Sequence, residues 1–160
     1  TLLAALDQAA DDHGVDVVVK IHPYDRLNDA ASVDFPYPNL RLLMPARWRD
    51  LELDIYDVLA QAAGLVTDVS STLIDFLYTR RPIGMLGFDP DTYSRETTFD
   101  LRLLLTCEAI ERLDAQSEVR AFVQRVAERV TVDAIDDGTR FFIEDMEINS
   151  AEGVARAVGL

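Results

Sequence analysis

The sequence predicts an α/β fold in which helices flank a Rossmann-like parallel sheet. Short apolar segments alternate with amphipathic ones in units of roughly 20–30 residues, as in chains built from right-handed β-α-β crossovers. Val15–Ile21 is rich in β-branched residues and is typical of a strand buried on both faces of a parallel sheet. Leu65–Phe76 predicts a short apolar strand, a polar turn and an amphipathic helix.

The elements around the first predicted strand follow from helical spacing and from proline content. Apolar residues at helical spacing predict a helix over Leu2–Asp12, and His13-Gly14 is a plausible stop for it. Three prolines within His22–Pro38 predict a loop after the strand. Asn39–Met44 then predicts a second strand.

The middle of the chain predicts two further helices and two further strands. Asp54–Ala63 is expected to be a helix because its apolar residues share one face. These residues are Ile55, Val58, Leu59 and Ala62. Leu65–Thr67 predicts the third strand, and Ser71–Tyr78 predicts a helix capped by Ser70. Pro82–Leu86 predicts the fourth strand.

The last part of the chain is less regular. Phe88–Asp100 predicts a polar loop, and Leu101–Leu105 is apolar but compatible with either a strand or a helix. Ser117–Val130 predicts an amphipathic helix with one apolar stripe, formed by Val119, Phe122, Val123, Val126 and Val130. Val132–Gly138 is expected to be a turn, and Phe141–Ile148 is expected to be a strand or an irregular packed segment. Ser150–Val158 is expected to be a short helix.

Composition limits the classes of function. A chain of 160 residues is expected to form one domain. Its net charge of -14 opposes binding to DNA, RNA or anionic lipid, although a local pocket can still bind a small phosphate. Cys107 is the only cysteine, which excludes an internal disulfide and a cysteine-based zinc site, and we expect it to be a small buried residue. The sequence contains no metal-ligand cluster, Walker A loop, GxGxxG motif, signal peptide or membrane-spanning run.

The turn Thr67-Asp68-Val69-Ser70-Ser71 is the strongest candidate for a ligand site. It follows the carboxyl end of a predicted strand, where ligands bind in open α/β sheets. Backbone N–H groups at the start of the next helix and the hydroxyls of Ser70 and Ser71 suit a diphosphate. A purely structural interpretation is equally open, in which Ser70 only caps the helix and Asp68 only closes the turn.

A second candidate is Lys20-Ile21-His22-Pro23, at the carboxyl end of the first predicted strand. Lys20 or His22 could contact a phosphate, and His22 could act as a general acid because its reference pKa lies near neutrality. The alternative is a strand-end histidine bonded to a backbone carbonyl.

Three further features have weaker functional interpretations. Asp75 lies one helical turn after Ser71, on the same predicted face, and is a candidate for bonding to the turn or to a ligand hydroxyl. Arg80-Arg81 is expected to be surface charge, with pairing to Asp75 as an alternative. Trp48, between two arginines, is expected to anchor a loop by partial burial, with stacking on a base as the alternative.

Taken together, these residues resemble the C-terminal half of the CDP-glycerol glycerophosphotransferases of teichoic acid synthesis, a pattern shared by related polyol-phosphate and capsule polymerases. The resemblance covers residues 15 to 113, with looser similarity in the helix that follows. It is carried by segments in register: Lys20-x-His22-Pro23, Asp54-Ile55-Tyr56-Asp57-Val58-Leu59, Ala62-Ala63-Gly64-Leu65-Val66-Thr67-Asp68-Val69-Ser70-Ser71, Asp75-Phe76, Arg81-Pro82-Ile83, and Phe88-Asp89 with Tyr93.

The resemblance implies a GT-B-type fold of two Rossmann-like domains, of which this chain is the C-terminal, donor-binding one. His22 then corresponds to the family's histidine near the donor diphosphate, and Ser70 and Ser71 to the serines that hold it, with Thr67 and Asp68 shaping the turn. The further site candidates are Lys20, Asp75, Asp89 and Arg95. The implied reaction transfers glycerol phosphate from a CDP-activated polyol to a cell-envelope polymer and releases CMP, without a cofactor and without a metal.

Two departures from the family bear on activity. Where the family has an Arg-Gly-x-Tyr-like segment and a later Gly-Pro, the segment Ser94–Asp100 keeps only Arg95 and Phe99-Asp100. The donor's polyol end is therefore bound differently, or the activity is altered or lost. The chain also begins within a predicted helix, so we expect a piece of a longer, cytoplasmic protein that acts at the inner face of the membrane. The missing N-terminal domain would supply a second catalytic histidine and the acceptor site.

Two alternative functions remain open at the level of the sequence. A sugar-nucleotide glycosyltransferase or epimerase of the same architecture would use a similar diphosphate turn with a UDP or GDP sugar. A non-catalytic interaction module would keep the fold without the chemistry, which the altered 94–100 segment favours and the presence of His22 with Ser70 and Ser71 opposes.

Overall fold

The fold is α/β, with parallel strands flanked by helices, as the sequence predicts for a Rossmann-like chain. The computed structural model describes residues 1–21, 35–52, 54–68, 70–87, 107 and 109–130. In chain order, the elements are α1 (Leu2–His13), β1 (Val17–Lys20), β2 (Leu40–Leu43), α2 (Pro45–Asp50), α3 (Ile55–Gln61), β3 (Leu65–Thr67), α4 (Ser71–Leu77), β4 (Ile83–Leu86), β5 (Ile110–Leu113) and α5 (Gln116–Ala127).

Contacts divide the chain into two compact units. The first unit comprises Thr1–Ala63 and Asp114–Arg129, and the second comprises Gly64–Leu113 and Val130–Leu160. The first contains the parallel pair β1–β2, and the second contains three parallel strands in the order β3-β4-β5. Both Lys20 and Trp48 belong to the first unit, whereas the Thr67–Ser71 turn belongs to the second.

Helices α1 and α5 pack against each other in the first unit. The buried face of α1 is small, and the buried face of α5 is larger and rich in valine. The buried residues are Ala5, Leu6, Ala9 and Ala10 on α1, and Val119, Phe122, Val123 and Val126 on α5. The alanines let the helices approach, and the burial of each Val or Phe contributes on the order of 1.5–3 kcal/mol.

Local hydrogen bonds fix both ends of α1. Thr1 Oγ1 accepts a hydrogen bond from the Ala4 N–H at 3.2 Å, which caps the helix. Gly14 ends it in the left-handed conformation at φ 63°, as glycine does without steric cost. The predicted helix and its stop at His13-Gly14 are therefore confirmed. Asp7 Oδ1 also accepts from the Asn39 N–H at 2.8 Å, which ties α1 to the chain just before β2.

Strand β1 is exposed on one face, so the prediction of burial on both faces is wrong. Val17 and Val19 are half-buried, but Val18 is 51% exposed and Lys20 is exposed. The strand also begins at Val17 and ends at Lys20, within the predicted range. A β-branched run indicates a strand but does not by itself show how many faces are covered, because branched side chains favour extended backbone in either setting.

Helix α2 was not predicted from the sequence. It follows β2 directly and begins at Pro45, whose missing N–H costs nothing at the first helical position. Trp48 lies on this helix and is half-buried, so its expected partial burial is confirmed but its expected place in a loop is wrong. The segment has no apolar periodicity, because arginines flank the tryptophan on both sides.

Helix α5 starts and ends differently from the prediction. Ala115 is the N-cap residue and offers no side-chain acceptor. Glu118 Oε2 instead accepts from the N–H groups of Asp114 at 2.7 Å and Ala115 at 2.8 Å. Arg129, at φ 55°, follows the helix in the left-handed region. Val130 therefore lies beyond the helix and is 41% exposed, so its assignment to the buried stripe is wrong.

The second unit is built on β4, the middle strand of its ladder. Thr67 of β3 pairs in register with Met85 of β4, and Ile83 of β4 pairs with Ile110 of β5. The core residues are buried to 2% exposure or less and come from α4, the strands and the segment before β5: Leu73, Phe76, Leu77, Ile83, Met85, Cys107 and Leu113. The expected burial of Cys107 is confirmed.

Strand β5 was also not predicted. Its centre carries Glu111 and Arg112, which interrupt the apolar pattern that identifies a buried strand. Several predictions lie outside the described residues and stay predictions. These are the loop His22–Pro38 up to residue 34, Phe88–Asp100, Leu101–Leu105, Val132–Gly138, Phe141–Ile148 and the helix Ser150–Val158.

Within the ranges that the structure describes, no helix is long and apolar enough to cross a membrane.

Candidate functional site

The strand–turn–helix at residues 65–77 has the local structure that the sequence predicts. Strand β3 ends at Thr67, Ser70 is the N-cap residue, and α4 begins at Ser71. Ser70 has extended backbone angles, and its Oγ accepts a hydrogen bond from the Thr72 N–H at 3.2 Å. The Leu73 N–H donates to the Ser70 carbonyl at 3.0 Å. Two of the backbone donors at the start of α4 are therefore already used within the turn.

Ser71 differs from Ser70 in both exposure and bonding. It is exposed, and within the described part of the chain neither its N–H nor its hydroxyl has a hydrogen-bond partner. The Ser70 hydroxyl accepts a bond in capping the helix but keeps its own proton to donate. The turn therefore offers three donors to a ligand: the Ser71 N–H, the Ser71 hydroxyl and the Ser70 hydroxyl.

Thr67 and Asp68 lead into this turn. Thr67 is half-buried at the end of β3, in register with Met85 on the neighbouring strand, and Asp68 is exposed. An ionised carboxylate only accepts hydrogen bonds, so Asp68 suits a ligand hydroxyl or amine and not a phosphate oxygen. Asp75 is half-buried on α4, one turn after Ser71.

Gly87 lies directly after β4, at its carboxyl end, and was not predicted from the sequence as a functional residue. Its φ is 56°, and a Cβ built at this position meets nothing within 4 Å. Glycine adopts this backbone conformation without the steric cost that a side chain would add, and the surrounding space would admit a Cβ. The signal for it was a glycine directly after a four-residue apolar strand.

The first unit holds the second candidate motif, of which the structure describes Lys20 and Ile21. Lys20 is exposed at the carboxyl end of β1, and its Nζ lies 5.5 Å from the centroid of the Trp48 ring. Ile21 is buried. This contact between the lysine and the tryptophan was not predicted from the sequence.

The predicted site residues are thus only partly described. Thr67, Asp68, Ser70 and Ser71 come together in the turn before α4, and Asp75 lies on that helix. His22, Asp89 and Arg95 lie outside the described residues and remain predictions. Among the described residues, no three His, Cys, Asp or Glu side chains form a group that could hold a metal ion.

The chain matches a known protein family. The sequence profile described as CDP-Glycerol:Poly(glycerophosphate) glycerophosphotransferase matches residues 3–126. This range contains the Thr67–Ser71 turn and extends beyond residues 15–113, on which the resemblance rested, to include most of α1 and α5. Searches of curated proteins and of solved structures returned no match.

Proposed function

The chain belongs to the CDP-glycerol:poly(glycerophosphate) glycerophosphotransferase family, and from that premise we propose that it is the donor-binding domain of such an enzyme. In this proposal it is the C-terminal half of a GT-B-type transferase of teichoic acid or related cell-wall polymer synthesis. Its nucleotide ligand is CDP-glycerol or a similar CDP-polyol. The parent protein is cytoplasmic and acts at the inner face of the membrane.

The observation that carries the proposal is the set of donors at Ser70 and Ser71. These groups are uncharged, and hydrogen bonds from them to phosphate oxygens are strengthened by the charge of the acceptor. The chain as a whole has a net charge of -14, so an anionic donor needs local attraction to bind. A turn with several directed N–H and O–H donors supplies that attraction.

Asp68 has a different role in this proposal. Because its carboxylate would repel the diphosphate, we assign it to shaping the turn and to accepting a bond from a hydroxyl of the donor, on the ribose or the polyol. Asp75, Asp89 and Arg95 stay as further candidates for contacts to the donor. Residues 94–100 differ from the family's sequence. We therefore expect recognition of the donor's polyol end to differ from the family more than recognition of its other parts.

The transfer itself balances as an in-line displacement at phosphorus. A hydroxyl of the polymer attacks the β-phosphorus, which carries the glycerol, and the bond from that phosphorus to the bridging oxygen breaks. CMP leaves with the bridging oxygen and its electron pair, and the acceptor proton passes to a general base. Positioning and charge stabilisation dominate such reactions. We assign His22 and the donors of the turn to stabilising the CMP that leaves.

The acceptor site and a second catalytic histidine are assigned to an N-terminal domain of the parent protein. In that arrangement this chain binds the donor weakly by itself. A domain without the acceptor site has no nucleophile held in line with the β-phosphorus, and that loss of orientation is worth several orders of magnitude in rate.

Calorimetric titration with CDP-glycerol, CMP, UDP-GlcNAc and ADP tests the proposal. We expect the cytidine ligands alone to bind, and Ser71→Ala to weaken CDP-glycerol binding by about tenfold, the worth of a charge-assisted hydrogen bond. Ser117→Ala, an exposed serine on α5, is the matched control and should change nothing. Preference for a UDP ligand would instead support a glycosyltransferase or epimerase, and loss of all binding would contradict a donor site in this chain.

A further inference from the structure

Gly87 follows β4 with a left-handed backbone, at φ 56°. Glycine commonly occupies such a position because a side chain would strain the backbone or would collide with the surrounding protein. A third reason is close approach of the backbone to a ligand. The rest of the chain shows how far the first two reasons hold for Gly87.

Backbone conformation alone does not require glycine in this protein. Among the described residues three others have nearly the same φ, and each carries a charged side chain: Glu52 at 50°, Arg80 at 54° and Arg129 at 55°. A side chain in this region costs some stability, and the chain bears that cost at all three positions. Each of the three comes shortly after the end of a helix, whereas Gly87 directly follows a strand.

Crowding by the protein does not require glycine at this position either. Gly87 is exposed, and a Cβ built on it meets nothing within 4 Å. The space that a side chain would fill is therefore open. An exposed glycine with open space beside it fits the third reason, the approach of a bound molecule to the backbone.

Gly87 lies next to the proposed donor site, within the same compact unit. Thr67 and Met85 pair in register on the parallel strands β3 and β4. The Thr67–Ser71 turn starts at the first of these residues, and Gly87 comes two residues after the second, so both lie at the carboxyl edge of the strands. Adjacent strands are about 4.8 Å apart, so a group bound at the turn is within reach of the neighbouring strand end.

We propose that the diphosphate of the donor packs against the Cα of Gly87, which makes Gly87 a specificity-determining residue. A side chain at this position would occupy the space of the phosphates. The inference rests on the proposed function and deepens it by adding a second strand end to the diphosphate site. Its physical basis is close approach, because a residue without a Cβ lets a diphosphate come near the main chain, as glycine does in dinucleotide-binding folds.

Two substitutions in the full 160-residue chain separate the need for space from the need for conformation. Asparagine tolerates the left-handed region better than alanine does, but its side chain is larger. Because the donor needs the space, Gly87→Ala should weaken CDP-glycerol binding by about tenfold and Gly87→Asn by at least as much. Inorganic pyrophosphate should follow the same order. Tighter binding by Gly87→Asn than by Gly87→Ala would show that conformation matters and space does not, and would overturn the proposal.

Gly14→Ala is the matched control for backbone strain. Gly14 also has a positive φ, of 63°, and no atom within 4 Å of its Cβ position, but it ends α1 in the first unit. This variant should bind both ligands within about twofold of the wild type. An equal loss of affinity in Gly14→Ala would show that strain is the cause and would overturn the proposal. Urea unfolding followed by circular dichroism verifies that each variant is folded, and should rank Gly87→Asn as more stable than Gly87→Ala.

The outcomes distinguish this inference from the function on which it rests. Unchanged affinities in both Gly87 variants, with Ser71→Ala still weakened, would overturn the role of Gly87 and leave the donor proposal standing. Weaker CDP-glycerol binding with unchanged pyrophosphate binding would overturn the contact with the diphosphate. Pyrophosphate binding that depends on Gly87, without binding of CDP-glycerol, would keep that contact and remove the donor assignment. Failure of the wild-type chain to bind either ligand would overturn both.

Discussion

Ser70 and Ser71 are adjacent in the chain but differ in what they contribute. Ser70 is committed to its own helix, because its Oγ accepts from the Thr72 N–H and its carbonyl accepts from the Leu73 N–H. Ser71 is exposed, and neither its N–H nor its hydroxyl has a hydrogen-bond partner among the described residues. The sequence left two interpretations of the turn open, a helix cap and a diphosphate site. For Ser70 the two are compatible, because its hydroxyl caps α4 and still has a proton to donate.

This division predicts different stabilities for the two alanine variants. Ser70→Ala removes the cap of α4 and should lower the free energy of unfolding by about 1 kcal/mol. Ser71→Ala removes a hydroxyl without a partner and should change it by less than about 0.5 kcal/mol. Urea unfolding followed by circular dichroism measures both. Equal costs for the two variants would contradict the division of roles.

The contact between Lys20 and Trp48 could not have been predicted from the sequence. The two residues are 28 positions apart in the sequence, and the parallel register of β1 and β2 brings them together. By contrast, the cap at Ser70 was predictable because capping depends on residues one to three positions apart.

Among the elements, those with a strong local pattern were predicted and those without one were missed. Helices α1, α3, α4 and α5 have apolar faces or caps, and the structure confirms each within a few residues. Helix α2 has no apolar stripe, and β5 carries two charged residues at its centre. Strand β5 is paired with β4 over its whole length, and that pairing joins segments that a local pattern does not connect.

The start of α5 shows how a helix can be capped without a capping residue. Ala115 has no acceptor at the N-cap position, so the carboxylate of Glu118 accepts from the two N–H groups before the helix. A carboxylate in the first turn also interacts favourably with the helix dipole. The predicted start of the helix at Ser117 is one residue from the observed start at Gln116. The side chain that stabilises this start is Glu118 and not Ser117.

We therefore expect Glu118→Ala to destabilise the first unit by about 1 kcal/mol, because it removes two charge-assisted hydrogen bonds at an exposed position. Gln116→Ala, at the first helical position and also exposed, is the control and should change stability by less than about 0.5 kcal/mol. Thermal unfolding of both variants measures the difference. A cost for Glu118→Ala no larger than that of the control would show that the helix does not need this carboxylate.

For the whole molecule, the acidic composition is compatible with membership of a family that uses a small phosphate-containing donor. A net charge of -14 disfavours polyanions such as nucleic acid, whereas a small phosphate ligand needs only a local cluster of donors. The fold class and the family were predictable from the sequence, because strand–helix alternation and motif order survive changes at single positions. The division of the chain into two compact units was not predicted, since contacts between distant segments define it.

The proposed dependence on an N-terminal domain predicts binding without turnover. Incubated with CDP-glycerol and a polymer acceptor, this chain alone should release no CMP above the uncatalysed background, because no acceptor hydroxyl is held in line with the β-phosphorus. Chromatographic quantification of CMP measures the release. Sustained CMP release by the isolated chain would contradict the assignment of the acceptor site to another domain.

The most direct measurement is the affinity for CDP-glycerol of the wild-type chain, of Ser70→Asp and of Ser117→Asp. Aspartate caps a helix about as well as serine, so Ser70→Asp should preserve α4 while placing a negative charge where the diphosphate is proposed to bind. Ser117→Asp adds the same charge near the start of α5. We expect Ser70→Asp to weaken binding at least about tenfold and Ser117→Asp to have the wild-type affinity. Equal affinities for all three proteins would contradict a donor site at the Thr67–Ser71 turn.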